Sequence, residues 1–242
     1  MHIRLLADTN SSEQNISNSK IICQIVSSWG KTTEEQCNLV KNNLQVRVFQ
    51  KNEIIYREHE IPEELMFLVS GKVKVYKEGV GGRSQIMRVF KPGEFFGYRA
   101  YLARQEYRTA AMAFEECVIA FLPMNIFLDL IKNNNDIALF FISCLAKELG
   151  HADNRTINLT QKHVYGRLAE ALLFLIEMYG TDENDKIDIS ISRADIAEMS
   201  NMTTSNAIRT LSAFADKNII ATKGKAIQII DTDALKKIAE HG

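Results

Sequence analysis

Apolar positions change their period along this chain, and each change marks a new kind of element. From Leu44 to Leu122 they come in short β-prone runs: Val46–Phe49, Leu65–Val69, Lys72–Tyr76, Gln85–Phe90 and Cys117–Phe121. Glycines punctuate the runs at Gly71, Gly79, Gly81, Gly82, Gly93 and Gly97. Many short strands with glycine turns predict a β-sandwich or barrel. Near Asn135 a helical period takes over, with Ile137, Phe141, Cys144 or Leu145, and Ala152 on one stripe that continues loosely to Thr156 and Leu159. The stripe is longer than one face of a small barrel can cover. It predicts a coiled-coil-like seam against a second copy of the chain; packing on its own β-region is the alternative. The Asn- and Ser-rich first thirty residues predict a loose tail or short helices.

The last fifty residues carry the most informative pattern. Ser192 is placed to cap a short helix, with Asp195 three residues on able to reach back. Ile196, Ala197 and Met199 give that helix an apolar face, and Ser200-Asn201 break it. Thr203 caps a second helix running to about Lys217. Its Ala207, Leu211 and Phe214 form one buried stripe. The opposite face holds Thr204, Ser205, Arg209 and Ser212, with no carboxylate until Asp216. Two β-rich runs follow, joined at Lys223-Gly224-Lys225. Helix, turn, helix and small hairpin is the layout of a winged helix-turn-helix. Small hydroxyls let a helix lie close to base edges, and an arginine can engage both guanine acceptors. Lys223 and Lys225 at the hairpin tip can touch phosphate. Double-stranded DNA is the partner this face predicts.

Charge complicates the picture without reversing it. The 242-residue chain has net charge −1 and 46% hydrophobic residues, ordinary for two globular domains. From Val164 onward there are nine Lys and Arg against twelve Asp and Glu, so this region is not basic overall. The acidic residues cluster at Asp182, Glu183, Asp185 and Asp188, and again at Asp231, Asp233 and Glu240. Arg193, Arg209, Lys223 and Lys225 lie on the binding elements, so the local field there is expected to be positive. The longest apolar stretch, Ile137–Leu149, is short and carries Lys147 and Glu148, which argues against a membrane span. With no signal-peptide pattern at the N-terminus, the expected location is cytoplasmic, with Cys23, Cys37, Cys117 and Cys144 reduced. There is no His-x-His, no His-Glu-x-x-His, no nucleophile elbow and no glycine-rich phosphate loop, so the expectation is not an enzyme.

The order of parts resembles the cAMP receptor protein and fumarate-nitrate reduction regulator (Crp/Fnr) family of bacterial transcription regulators. Three segments carry the resemblance. Lys91–Gly97 followed by Tyr107–Ala111 is similar to the family's phosphate-binding cassette, Asn135-Asp136-Ile137 opens the long helix, and Ile191–Asp231 is the DNA-binding segment. The resemblance implies an α+β fold. A tail (1–30) precedes a cyclic-nucleotide-binding-like β-roll (31–133), a long dimerisation helix (134–162) and a C-terminal winged helix-turn-helix (163–242). It implies base reading by Thr204, Ser205 and Arg209, and phosphate contact by Arg193, Thr203, Asn206, Lys223 and Lys225. A homodimer would form on Ile137, Phe141, Leu145 and Ala152. RNA polymerase is an implied partner, with the loop from Tyr179 to Lys186 a candidate contact.

The effector pocket implied by the resemblance comprises Gly97, Tyr98, Arg108, Thr109, Ala152 and Asp153. Arg108 and Thr109 match the pair that holds a cyclic phosphate. Tyr98 stands where the family places a ribose-binding Glu. Ala152 and Asp153 stand where the long helix supplies hydroxyls to the base. The expected effector is therefore a small anion other than cAMP, supported by nearby Arg83, Arg99 and Arg104. Arg108 pairing with Glu94 or Glu106 is the plain alternative. The cofactor is left open. An iron–sulfur cluster meets the objection that Cys23 and Cys37 are far apart, though Cys117 lies in the β-region. His151 and His59 are the candidate haem contacts. A haem- or redox-sensing regulator, or a ligand-responsive interaction module that does not bind DNA, remain the alternatives.

Overall fold

The computed structural model describes residues 11–79 and 82–241. The first ten residues of the expected tail, and Gly81, lie outside them. The chain divides into two compact units, Met1–Lys77 with Met87–Glu148, and Glu78–Ile86 with Leu149–Gly242.

The first unit is a β-roll wrapped by helices. Helices α1 (Ser11–Ser28) and α2 (Glu34–Asn43) precede strands β1 (Gln45–Phe49), β2 (Ile54–Tyr56), β3 (Glu64–Ser70), β4 (Val73–Glu78), β5 (Ser84–Phe90) and β6 (Phe95–Phe96). A short α3 (Tyr98–Leu102), β7 (Ala110–Ala113), β8 (Cys117–Pro123), α4 (Met124–Asn133) and the long α5 (Asn135–Gln161), which belongs to the second unit from Leu149 on, follow. One sheet has the order β1-β8-β3-β6 and the other β2-β7-β4-β5. All five expected strands are present, and the short β2, β6 and β7 add to them.

The central strands explain why two apolar layers form. Side chains alternate across a strand. Met66 and Leu68 of β3, and Ile119 and Phe121 of β8, face the roll interior with Tyr56, Val73, Val75, Phe90, Phe96 and Tyr107. Their neighbours Leu65, Phe67, Ala120 and Leu122 face outward into a second cluster. Helices supply the cover there through Ile21, Ile25, Trp29, Val40, Phe127, Leu130, Ile137 and Phe141. Of the two expected forms, loose tail or short helix, residues 11–28 thus take the helix. Ile21, Ile25 and Trp29 recur every four residues, which puts them on one helical face. Trp29 stacks on Phe95 at 5.7 Å between ring centroids.

Helix α5 opens at Asn134, whose Oδ1 accepts from the amides of Asp136 and Ile137 at 2.9 and 3.2 Å. Its two apolar faces have different fates. Ile137 and Phe141 are fully buried in the chain's own roll cluster, and Leu145 packs partly against it. These three residues therefore do not form an open seam, contrary to expectation; Ala152 is exposed. The open apolar face is instead Leu139, Ile142, Leu149 and Ile157, with Ala146 between them.

The second unit contains α6 (Val164–Tyr179), α7 (Arg193–Met199), α8 (Thr204–Asp216), the hairpin β9 (Ile220–Lys223) with β10 (Ala226–Ile229), and α9 (Thr232–His241). Leu168, Leu172, Leu175, Ile196, Ala207, Leu211, Phe214, Ile227 and Leu235 are among its buried residues. Among the described residues no helix is long and apolar enough to cross a membrane.

Candidate nucleic-acid interface and effector cassette

Local hydrogen bonds set the two helices of the second unit. Ser192 Oγ accepts from the Asp195 amide at 3.0 Å and lies 2.5 Å from the Asp195 carboxylate. The reciprocal reach of Asp195 thus meets the cap hydroxyl. Helix α7 stops at Ser200, and Asn201 takes a left-handed φ of 49°. Asn tolerates that conformation better than most residues. The Met202 amide then bonds back to the Ala197 carbonyl at 3.0 Å, which closes the α7 end. Thr203 opens α8 by accepting from the Asn206 amide at 3.2 Å.

This turn aims one face of α8 away from the unit. Ala207, Leu211 and Phe214 are buried, as is Thr210. Thr204, Ser205, Arg209 and Ser212 are exposed together on the opposite side. Arg209 Nη2 donates to Asn206 Oδ1 at 3.2 Å, a contact that leaves most of the fork to solvent. Ile208, which sequence reasoning passed over, is 49% exposed on the same side.

The hairpin is a tight two-residue turn. Lys223 pairs with Ala226, and Gly224 supplies a φ of 59°. Lys223 and Lys225 are both exposed. Arg193 is placed differently from expectation. Its Nη2 donates to the Gly224 carbonyl at 2.9 Å, so the guanidinium ties the first residue of α7 to the hairpin tip. Its Nη1 is buried without a hydrogen-bond partner among the described residues, and desolvation lowers the pKa of the group.

The acidic loop beyond α6 is ordered by its own carboxylate. The Lys186 and Asn184 amides both donate to Asp182 Oδ1, which holds that carboxyl below the usual range.

The cassette departs from several expectations. Tyr98 is 2% exposed and lies edge-on to Phe141 and Phe127, so it is a core residue and does not line an open pocket. Burial pushes its phenol well above the ordinary range. Gly97 is the left-handed cap of α3 with φ 87°. That left-handed φ favours glycine whatever the space around it, and a Cβ there would also sit 2.6 Å from Met66 Cε. Arg108 is exposed, and its partner is Gln105, at 3.2 Å from Nε, in place of Glu94 or Glu106. Glu94 instead accepts from the Lys91 amide at 2.9 Å, and Glu106 sits 3.5 Å from His59.

Thr109 hydrogen-bonds the buried Tyr56 hydroxyl, whose pKa burial pushes up to about 12. Tyr56 stacks on Tyr107 with ring centroids 3.9 Å apart. This pair occupies the roll interior, and no sequence motif announced it. Ala152 and Asp153 are exposed on α5 and belong to the second unit.

Metal-ligating residues are dispersed. Among the described residues no three His, Cys, Asp or Glu side chains come close enough to hold an ion. Cys117 is buried in β8, and burial pushes its thiol up to about 11. His151 and His59 are both exposed.

Comparison with known proteins adds to this geometry. Residues 46–134 match the family model of the cyclic nucleotide-binding domain, and residues 166–238 match that of the Crp-like helix-turn-helix domain. The chain is 30% identical over 175 residues to the cAMP-activated global transcriptional regulator CRP of Pasteurella multocida, covering 72% of this chain and 84% of that protein. It is 25% identical over 195 residues to the nitrogen fixation regulation protein FixK of Azorhizobium caulinodans, covering 79% and 77%. The structure of FixK2 from Bradyrhizobium japonicum shares the fold, with a TM-score of 0.73 at 24% identity over 81% of this chain and 96% of that one.

Proposed function

This chain belongs to the Crp/Fnr family of DNA-binding transcription regulators, not enzymes, and from that premise we propose that it acts as a homodimer reading paired half-sites in duplex DNA. The observation that carries the proposal is the two-sided character of α8. Its apolar stripe is buried while Thr204, Ser205 and Arg209 are exposed together. These three read base edges, with Arg209 suited to a guanine. Thr203, Asn206, Lys223 and Lys225 contact phosphate. Arg193 holds the turn that presents the two lysines, because its guanidinium is already bonded to Gly224.

The dimer forms on the open face of α5. Leu139, Ile142, Ala146, Leu149 and Ile157 follow one another in steps of three, four, three and eight, the spacing of a coiled-coil seam interrupted at Asp153. Two recognition helices would then enter major grooves about 34 Å apart. RNA polymerase is the partner such a regulator addresses, and the exposed loop from Tyr179 to Lys186 is the surface proposed for it.

Regulation runs through a small anion other than cAMP, taken near Arg108. The CRP relative is named as cAMP-activated. In this chain, however, the residue at the ribose position, Tyr98, is buried in the core, and Thr109 is engaged by Tyr56. Ala152 and Asp153 bring no hydroxyl to a purine.

In vitro selection from random duplexes, followed by footprinting, tests the proposal. It expects a two-fold symmetric consensus with two protected half-sites one helical turn apart. Binding without any sequence preference would overturn it, and micromolar cAMP affinity that sharpens DNA binding would overturn the effector assignment. A second reading, a ligand-responsive module whose C-terminal unit binds protein, is favoured only by the acidic balance beyond Val164.

A further inference from the structure

We propose that Ile208 is a specificity-determining residue that reads the C5-methyl group of a thymine in the major groove. The inference rests on the assignment of α8 as the groove-entering helix. At about 100° per residue, Ile208 projects roughly 40° from Thr204, Ser212 roughly 80°, Ser205 roughly 100° and Arg209 roughly 140°. Ile208 therefore lies inside the exposed arc, between Thr204 and Ser212, and not at its margin. Its side chain is 49% exposed, whereas the apolar Ala207, Leu211 and Phe214, roughly 60° to 120° round the same helix, are buried. A branched hydrocarbon here makes no hydrogen bond and leaves about half of its surface outside the core. Isoleucine is also a poorer helix former than alanine or leucine.

The edges of a duplex offer one apolar feature in the major groove, the thymine methyl. Thr204 and Ser212 keep the backbone close to the bases on either side of Ile208, and Arg209 brings its fork to the adjoining part of the arc. The face thus combines a hydrogen-bonding reader with an apolar one. Cytosine lacks the methyl, and the purines present N7 at the corresponding edge. Ile208 consequently discriminates a T·A pair from the other three by contact area.

Deoxyuridine removes the methyl and nothing else, so it tests the contact directly. The full-length protein first selects its operator from random duplexes. Each thymine of the consensus is then replaced singly by deoxyuridine, and affinities are measured by fluorescence anisotropy for the wild type and for Ile208→Ala. At one thymine per half-site, uracil is expected to weaken the wild type about four-fold, the worth of one buried carbon. Ile208→Ala should bind thymine and uracil operators equally, with an unchanged melting temperature. A wild type indifferent to uracil at every position, or an equal loss in both proteins, overturns the role of Ile208. Selection that yields no consensus at all overturns the underlying DNA-reading assignment instead.

Discussion

Truncating Leu149 should dissociate the dimer without unfolding the protomer. The four large apolar residues on the open face of α5, Leu139, Ile142, Leu149 and Ile157, are 59%, 59%, 64% and 49% exposed. Leu149→Ala removes three carbons, each worth about 0.8 kcal/mol when buried. Scaling by the exposed share leaves about 1.5 kcal/mol per protomer. In a symmetric interface the same residue is lost from both copies. The dimer is therefore weakened by about 3 kcal/mol, or roughly a hundredfold in its dissociation constant. The protomer's melting temperature should hardly move, since the side chain adds little to its own core. Phe141→Ala is the control. Phe141 is buried among Trp29, Phe95, Tyr98 and Phe127. Its truncation should cost about 3–5 kcal/mol of stability. Sedimentation equilibrium across a concentration series reads the dimer, and thermal denaturation reads the fold. A Leu149→Ala protein that dimerises like the wild type refutes the seam. So does a Phe141→Ala protein that dissociates while keeping its melting temperature.

Three further outcomes follow from the same geometry. Arg209→Ala should lose about 1–3 kcal/mol of discrimination at one base pair of each half-site, read by binding to single-substitution operators; uniform weakening across all sequences would make Arg209 a phosphate contact instead. Tyr98→Ala should destabilise the roll by about 3–5 kcal/mol in chemical denaturation, whereas Arg108→Ala, on an exposed side chain, should change stability by less than about 0.5 kcal/mol. Stability should also fall in alkali. The folded-state pKa of Tyr56 is raised from 10.0 to about 12, so its contribution is complete below pH 10 and is lost as pH rises toward 12. Denaturation midpoints measured from pH 8 upward should decline beyond pH 10, and Tyr56→Phe should flatten part of that decline.

Some of this architecture is written in hydropathy, and some is not. The Ser192 and Thr203 caps, the break at Asn201 and the buried Ala207-Leu211-Phe214 stripe follow from local chemistry. That is why the polar residues of the α8 face could be drawn from the sequence, while the exposed Ile208 was passed over. The strands β3 and β8 were visible as apolar runs because both of their faces are covered. Helix α5 defeats the same reasoning because it has two apolar faces. Periodicity sees Ile137 and Phe141 as readily as Leu139 and Ile142, and cannot say which one meets the chain's own roll. Tyr98 misleads for a related reason: alignment to a family motif fixes a position along the chain, not the direction of a side chain. The Asn and Ser content of α1 left tail and helix undecided, although Ile21, Ile25 and Trp29 were there to settle it. The Arg193 clasp required coordinates, since its partner is a backbone carbonyl 31 residues away.

That clasp also bears on the electrostatics of binding. With Arg193 engaged by Gly224, the exposed cations on the proposed interface are Arg209, Lys223 and Lys225 in each protomer. A dimer brings six, and neutralising up to six phosphates gives a log–log salt slope of about −5 on B-form DNA. The carboxylates of Asp182, Glu183 and Asp185 can only reduce that figure if they approach the duplex. A titration of the selected operator between about 50 and 200 mM salt reads the slope. A value near zero would favour a protein-binding role for the second unit. A value near −7 would return Arg193 to the phosphates, and Arg193→Ala would then lower the slope by about one for each protomer. A slope near −5 means that counterion release alone gives only modest affinity at physiological ionic strength. Discrimination among sequences must then come mainly from the exposed arc of α8, where one guanidinium, one isoleucine and a few small hydroxyls meet the bases.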